Sequence, residues 1–326
     1  MKALRSSAFF GKFPALPGTA LAIFAALLCL LPLGVFDGID NRIYDLSIRA
    51  RGTRPAPADI VIVAIDDESM ASLGRWPWPR KKVAEFVDIL SQGGARVIGL
   101  DIFFPSAEEE KRSGNDRILA DSAARAGNVV FPYYFTIGHS EPGKGKRPEL
   151  PAEVASSAVP GFDVVRKLSA VPFVPAKEIF FPDPEISRGA RGMGHINVLP
   201  DPDGKVRRET LLIEYDRRAY PSFSLEVAAS ALSADRRDLK VNRGRFLAMG
   251  EKEIPIEAWG QMLIPYLGGN QTIRYWSCKD LLSGRIPASQ IRGKIVLVGV
   301  TAASTHDFLA TPFSPRVAGV EKHAQT

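Results

Sequence analysis

From Ala15 to Phe36 the chain reads ALPGTALAIFAALLCLLPLGVF, without a single charged side chain. A run of about 20 apolar residues is long enough for a helix to cross the hydrocarbon core of a bilayer. Lys2, Arg5 and Lys12 precede the run, and Asp37 and Asp40 follow it. Cytoplasmic flanks of membrane helices carry the excess of Lys and Arg, so residues 1–14 are expected inside and residues 37–326 outside. A cleaved signal peptide fits less well, because the apolar core is long and Leu31-Pro32-Leu33-Gly34 is a poor cleavage site. A lipoprotein would need a small residue before its cysteine, and Leu28 precedes Cys29. A buried core helix is the remaining alternative, and the length of the run argues against it.

The rest of the chain has an ordinary globular composition, 45% hydrophobic and 24% charged, which excludes wholesale disorder. Three of the positive charges behind the net +6 fall in the first twelve residues, and the others are scattered among acids. No nucleic-acid partner is implied. Cys29 and Cys278 lie too far apart in character and position for a disulfide framework.

Beyond the apolar segment, residues 37–51 are expected to form a helix that ends before Arg54-Pro55-Ala56-Pro57. Ile60-Val61-Ile62-Val63-Ala64-Ile65 and Val97-Ile98-Gly99-Leu100-Asp101-Ile102-Phe103 are short apolar runs of the kind that form strands buried on both faces. Between them Val83, Phe86, Val87 and Leu90 recur at helical spacing, and Gly93-Gly94 supplies a stop. A helix capped by Asn115 and ended by Gly127 leads to a third strand at Val129-Val130-Phe131. The β-α-β-α-β order predicts an α/β fold, a mainly parallel sheet flanked by helices. An added β-hairpin is expected where Asp201-Pro202-Asp203-Gly204 separates His195–Val198 from Val206–Tyr215. Leu225, Ala228, Ala229 and Leu232 mark a further helix, and Ile295-Val296-Leu297-Val298 a further buried strand. The proline-rich stretch 149–190 predicts no definite element.

Asp66 and Asp101 follow predicted parallel strands, and the carboxyl ends of such strands face the crevice where α/β folds bind ligands. Converging carboxylates there suit a cation or an amine; alternatively each caps a helix or pairs with an arginine such as Arg80. Trp76-Pro77-Trp78-Pro79 has two readings, rigid walls of a pocket beside Arg80 or a stiff connector into the next helix. Asp66, Asp67, Trp78, Arg80 and Asp101 are therefore the candidate ligand-binding residues. His195, His306 and His323 lack the spacing of a zinc site. Asp201 and Asp203 begin like a calcium loop, but the twelfth position is Leu212. Nucleophile-elbow, Walker-type and zincin motifs are absent from the sequence, and no cofactor is expected.

Several segments together carry a resemblance. Asp66-Asp67-Glu68-Ser69, Gly74-Arg75-Trp76-Pro77-Trp78-Pro79-Arg80, Gly99-Leu100-Asp101-Ile102-Phe103-Phe104, Gly194-His195-Ile196-Asn197 and Asp203-Gly204 with Val206-Arg207-Arg208 are among them. Gly293 to Gly299, Thr311-Pro312-Phe313 and Gly319-Val320-Glu321-Lys322-His323-Ala324 complete the series. In this order they resemble the type-two CHASE family of extracellular sensors across residues 40–324. The resemblance implies a domain outside the bacterial cytoplasmic membrane, after one N-terminal helix. It also implies further membrane helices and a cytoplasmic output domain: a class III adenylate or guanylate cyclase, a histidine kinase or a serine/threonine kinase. It implies an unidentified small-molecule or ion ligand, contact with membrane lipid, and a homodimer, since such outputs work as dimers. Two rival functions remain at this point, an anchored periplasmic enzyme using Asp66 and Asp101, and an interaction module with Trp76 and Trp78 as contacts.

Overall fold

Ile60–Ile65 forms strand β1, and every residue after Ile60 is buried, as a continuous apolar run requires. The computed structural model describes residues 18–19, 35–105, 114–139, 148–160, 162, 172–234, 239–242, 246–305 and 307–326. It divides into two compact units, residues 1–50 and 51–326. In the first, helix α1 (Val35–Arg51) begins near the end of the apolar segment. Among the described residues no helix is long and apolar enough to cross a membrane; the predicted span Ala15–Phe36 lies almost wholly outside them.

In the second unit, β1 leads into α2 (Asp67–Leu73) and α3 (Arg80–Gln92), then β2 (Val97–Asp101), α4 (Asn115–Ala126) and β3 (Val129–Ile137). The α3 stripe is the predicted one, with Val83, Phe86, Val87 and Leu90 all buried. Gly127, left-handed at φ 66°, ends α4 as expected, whereas Asn115 is the first helical residue and Gly114 takes the cap position. The stretch that predicted nothing holds α5 (Ala152–Ser156), β4 (Val174–Phe180) and α6 (Pro184–Ser187). There follow β5 (Gly192–His195), β6 (Arg208–Thr210), β7 (Leu212–Tyr215), β8 (Arg218–Pro221) and α7 (Phe223–Ala231). A separate three-stranded antiparallel sheet contains β9 (Leu239–Asn242), β10 (Phe246–Met249) and β11 (Lys252–Pro255). The chain continues through β12 (Gln261–Leu263), β13 (Arg274–Ser277), α8 (Cys278–Leu282), α9 (Ala288–Ile291) and β14 (Ile295–Val300). Short strands β15 (Phe308–Leu309) and β16 (Val317–Ala318) precede α10 (Gly319–Gln325).

The central sheet has nine strands in the order β13-β1-β14-β2-β3-β4-β7-β8, with β5 also paired to β3. It is mainly parallel: β13, β1, β14, β2 and β3 run the same way, and β5 joins β3 in parallel. The fold is thus the mixed α/β architecture that the strand–helix alternation predicts. Alternation along each strand divides the core. Val61, Val63 and Ile65 of β1, with Ile98 and Leu100 of β2, pack beside the buried residues of α3 and α4. Ile62, Val97, Val130 and Leu297 face the other way, toward Phe223 of α7 and Val320 of α10. Two glycines allow α7 to approach. A Cβ at Gly99 would lie 2.5 Å from the Leu297 side chain and 3.0 Å from Phe223, and one at Gly194 2.6 Å from the Phe223 Cα.

The hairpin is displaced from its predicted position. Asp201–Gly204 does make a tight turn, with Gly204 N donating to Asp201 O at 2.8 Å. The segments on either side do not pair: β5 joins β3, β6 pairs with β12, and Val206 N donates to Ala310 O at 2.8 Å. A hairpin does form farther on in the central sheet, at β7–β8, turned by Asp216 and Arg217 at φ 49° and 60°. Its turn carries no Asn-Gly or Asp-Gly, the usual signature of paired left-handed positions. The two aspartates of the predicted turn clasp Arg207 instead. Its guanidinium, 1% exposed, sits 2.7 Å from Asp201 Oδ2 and 2.7 Å from Asp203 Oδ2. The Arg207 hydrogen bond, chiefly, holds the Asp203 carboxyl well below the usual carboxylate range. Asp201 also pairs with Arg208 at 3.1 Å, so the calcium-loop echo is a structural clasp.

Candidate functional site

β1 and β2 both end in carboxylates, and the structure uses them differently. Asp66 caps α2, accepting from Ser69 N at 2.8 Å and from the Ser277 hydroxyl at 3.1 Å. Ser69 Oγ lies 3.0 Å from Ser277 Oγ and accepts from Lys279 N at 3.1 Å, which joins α2 to the end of β13 and the start of α8. Asp67 is exposed and accepts from Ala303 N at 3.2 Å. Trp78 is buried; its indole N–H donates to Gly74 O at 2.7 Å and its ring meets Phe86 edge-on at 5.9 Å. Arg80 pairs with Asp116 at 3.3 Å and lies 5.3 Å from the Phe104 ring centre. Its ion pair thus ties the start of α3 to α4.

The five sequence candidates do not converge. Trp78 belongs to the cluster on the α3 and α4 side. Asp101 lies two residues beyond Gly99, whose absent side chain faces Leu297 and Phe223, so strand alternation turns Asp101 toward α7 and α10. The sheet separates the two. What surrounds Asp101 is a set of groups drawn from distant parts of the chain: Glu209 on β6, Lys322 on α10, and Asp307 before β15.

α10 makes this possible. Every one of its residues is buried, including Glu321, Lys322 and His323. Fully buried charges of this kind survive only when paired. Lys322, 0% exposed, forms an ion pair with Glu209, 1% exposed. The other Glu209 oxygen accepts from the Ser224 hydroxyl at 3.3 Å. Ser224 Oγ also lies 2.9 Å from His323 Nδ1, which is 3.5 Å from Lys322 Nζ. Burial first, then the Lys322 charge, pushes His323 well below its ordinary range, which keeps the imidazole neutral. Glu321 serves the fold: its Oε1 accepts from Thr272 N and Ile273 N, each at 3.1 Å, and from Gln325 at 2.8 Å.

Asp101 itself is raised to about 7, chiefly by burial and then by the negative charge of Asp307; Lys322 opposes the rise and Glu209 adds to it. His195, on β5, is lowered to about 3 by burial and by Lys322. Neither of its ring nitrogens has a hydrogen-bond partner among the described residues, and its ring meets Phe135 at 6.1 Å. The cluster reaches solvent at Asp101, which is half-buried, and at Asp307, which is exposed although its carboxyl is desolvated enough to be raised, while its lysine, its glutamate and both histidines are buried.

Chemically, Asp101, with Asp307 and Glu209 adding negative charge and Lys322 opposing them, can take up a proton or a cation. Ser224 and His323 have the contact of a nucleophile and its base, but Ser224 is 9% and His323 6% exposed, and both are tied to Lys322 or Glu209. Among the described residues no three His, Cys, Asp or Glu side chains come together as metal ligands; His306 lies outside those residues. Sequence reasoning reached Asp101, His195 and His323 singly but passed over Glu209, Lys322 and Ser224. The available signal was the Glu-Lys-His run inside an otherwise apolar closing segment.

No curated protein and no solved structure matches the chain. A family model does: that of the CHASE2 domain aligns with residues 20–326. It spans the central sheet, the closing helix α10 and the charged cluster between them. The chain therefore belongs to the CHASE2 family, whose domains are extracellular sensory parts of membrane receptors rather than catalysts.

Proposed function

We propose that the chain is the extracytoplasmic ligand-sensing input of a bacterial membrane signalling receptor. It is held in the membrane by Ala15–Phe36, with residues 1–14 inside and 37–326 outside. The family match supports the sensing role, and the uncharged segment with its basic leading flank supports the placement. The signal passes to a cytoplasmic output domain outside residues 1–326, a class III adenylate or guanylate cyclase in the first instance, with a histidine or serine/threonine kinase as the alternative. Homodimerisation fits the exposed side chains Ile39, Ile43 and Leu46 on α1, whose 4–3 spacing is that of a coiled-coil seam.

The observation that carries the sensing site is the Asp101 cluster: carboxylates at a strand's carboxyl end, open to solvent at Asp101 and Asp307, over a buried Lys322–Glu209 pair. Its excess of acids selects a cation or an organic amine. Of the five sequence candidates, Asp101 is the one placed to touch such a ligand; Asp66 and Asp67 order the neighbouring loops. A ligand bound there would shift the receptor by its differential affinity for two arrangements of α10.

Two measurements test this reading. Protease added to intact spheroplasts should digest the body beyond Phe36; protection of that body would overturn the topology. The full chain in nanodiscs should gain thermal stability on titration with Mg²⁺ or with putrescine, and an Asp101→Asn/Asp307→Asn variant should not. An identical response in the variant would remove the cluster as the sensing site.

A further inference from the structure

We infer that a second site, at the opposite end of the sheet, binds an oxyanion group through Arg274 and Lys294. A cavity of about 590 Å³ opens beside the amino ends of β1, β13 and β14, lined in part by Ala58, Gln271, Thr272, Arg274, Tyr275 and Lys294. That volume lies in the range of small-molecule sites, roughly 300–1,000 Å³. None of the residues lining it is acidic, while two are cationic. In a chain whose basic and acidic residues are nearly balanced, this is a local concentration of positive charge.

The rim is ordered rather than loose. Lys294 Nζ donates to Ala58 O at 2.8 Å, which fixes the ammonium and leaves further donors on it. Thr272 and Ile273 are locked from behind by the Glu321 carboxylate, so the strand that carries Arg274 is held at its start. Gln271, part of the lining, adopts a left-handed backbone at φ 60°, a conformation that surrounding structure must impose on a side-chain-bearing residue. β13 is the edge strand of the sheet among the described residues. The Tyr275 hydroxyl is buried beside Glu321. Arg274 is exposed and Lys294 half-buried, so the lining offers a planar fork from β13 and a point charge from the start of β14. Phosphate and carboxylate oxygens are what such a pair recognises.

This site does not depend on the Asp101 reading, since it uses other residues at the other end of the strands. The test uses the full chain in nanodiscs and inorganic phosphate as the probe. In phosphatidylcholine discs, phosphate should bind and raise the thermal midpoint. Arg274→Gln and Lys294→Gln should each weaken its Kd by about tenfold or more, as expected for a lost charge-assisted hydrogen bond. Arg292→Gln, an exposed neighbour outside the lining, should leave the affinity unchanged. If phosphatidylglycerol discs alone stabilise the chain, and the double variant abolishes the effect, the oxyanion is a lipid headgroup. Absence of any response, or equal responses in wild type and double variant, would overturn the assignment.

Discussion

Lys322→Met is expected to destabilise the protein by about 3–5 kcal/mol, the cost of removing one partner from a buried ion pair. Lys322 is 0% exposed and Glu209 1% exposed, and the two are paired. Methionine keeps the length and apolar stem of lysine, so little packing is lost. What it removes is the positive charge paired with Glu209, which also opposes the rise of Asp101. Among the described residues Glu209 then keeps the Ser224 hydroxyl, at 3.3 Å. The double variant Glu209→Gln/Lys322→Met should recover most of the loss, because a neutral amide needs no counter-charge and can still bond Ser224. Urea unfolding of the full chain in detergent, compared across wild type, both single variants and the double, gives the coupling directly. A double variant as unstable as Lys322→Met alone would show that Lys322 acts through Asp101 and His323 rather than through Glu209.

How much of this was legible in the sequence depends on the range of the interactions involved. The α3 stripe, the buried runs of β1 and β14 and the Gly127 stop are set by neighbours within a few residues, and the sequence reads them directly. The hairpin was misplaced because Asp201-Pro202-Asp203-Gly204 does turn, while its flanks find partners in β3, β12 and Ala310 that no local pattern encodes. The β7–β8 turn escaped because Asp216 and Arg217 reach positive φ without glycine or asparagine. The site was half legible. Asp101 was found from its place at a strand end, and Asp66 for the same reason, although Asp66 is occupied as a cap by Ser69 N and Ser277. Trp78 and Arg80 lie near Asp66 and Asp101 in sequence but across the sheet from the Asp101 cluster, because one β-residue of parity decides the face. Glu209 and Lys322 come together only once α10 has folded back onto β1 and β14 beside α7.

Asp101→Asn is expected to stabilise the protein in a pH-dependent way, by little near pH 4 and by about 2–4 kcal/mol at pH 8. The sign follows from the direction of the shift. Burial and the Asp307 charge raise the native Asp101 carboxyl from 3.8 to about 7. Below 3.8 both native and unfolded chains hold the proton, and Asp101 costs nothing. Between 3.8 and about 7 the unfolded chain releases it and the native one retains it, so each pH unit removes about 1.4 kcal/mol from native stability. Above about 7 the loss is complete and stays constant. Asparagine keeps the shape and hydrogen-bonding capacity of the protonated carboxyl without a proton to lose, so the variant escapes the whole slope. His195, lowered to about 3, works in the other direction, its contribution being lost as pH falls from 6.5 through about 3. That contribution is common to both proteins and cancels in their difference. The measurement is therefore the difference in unfolding free energy between wild type and variant, in steps from pH 4 to pH 8. The same variant should lose the stabilisation by Mg²⁺ or putrescine, because a cation at this site acts by holding Asp101 ionised at a pH where the empty cluster would protonate it. A difference that stays flat across the range would mean that Asp101 titrates like a surface carboxylate, and its ionisation would then not be what a bound cation changes.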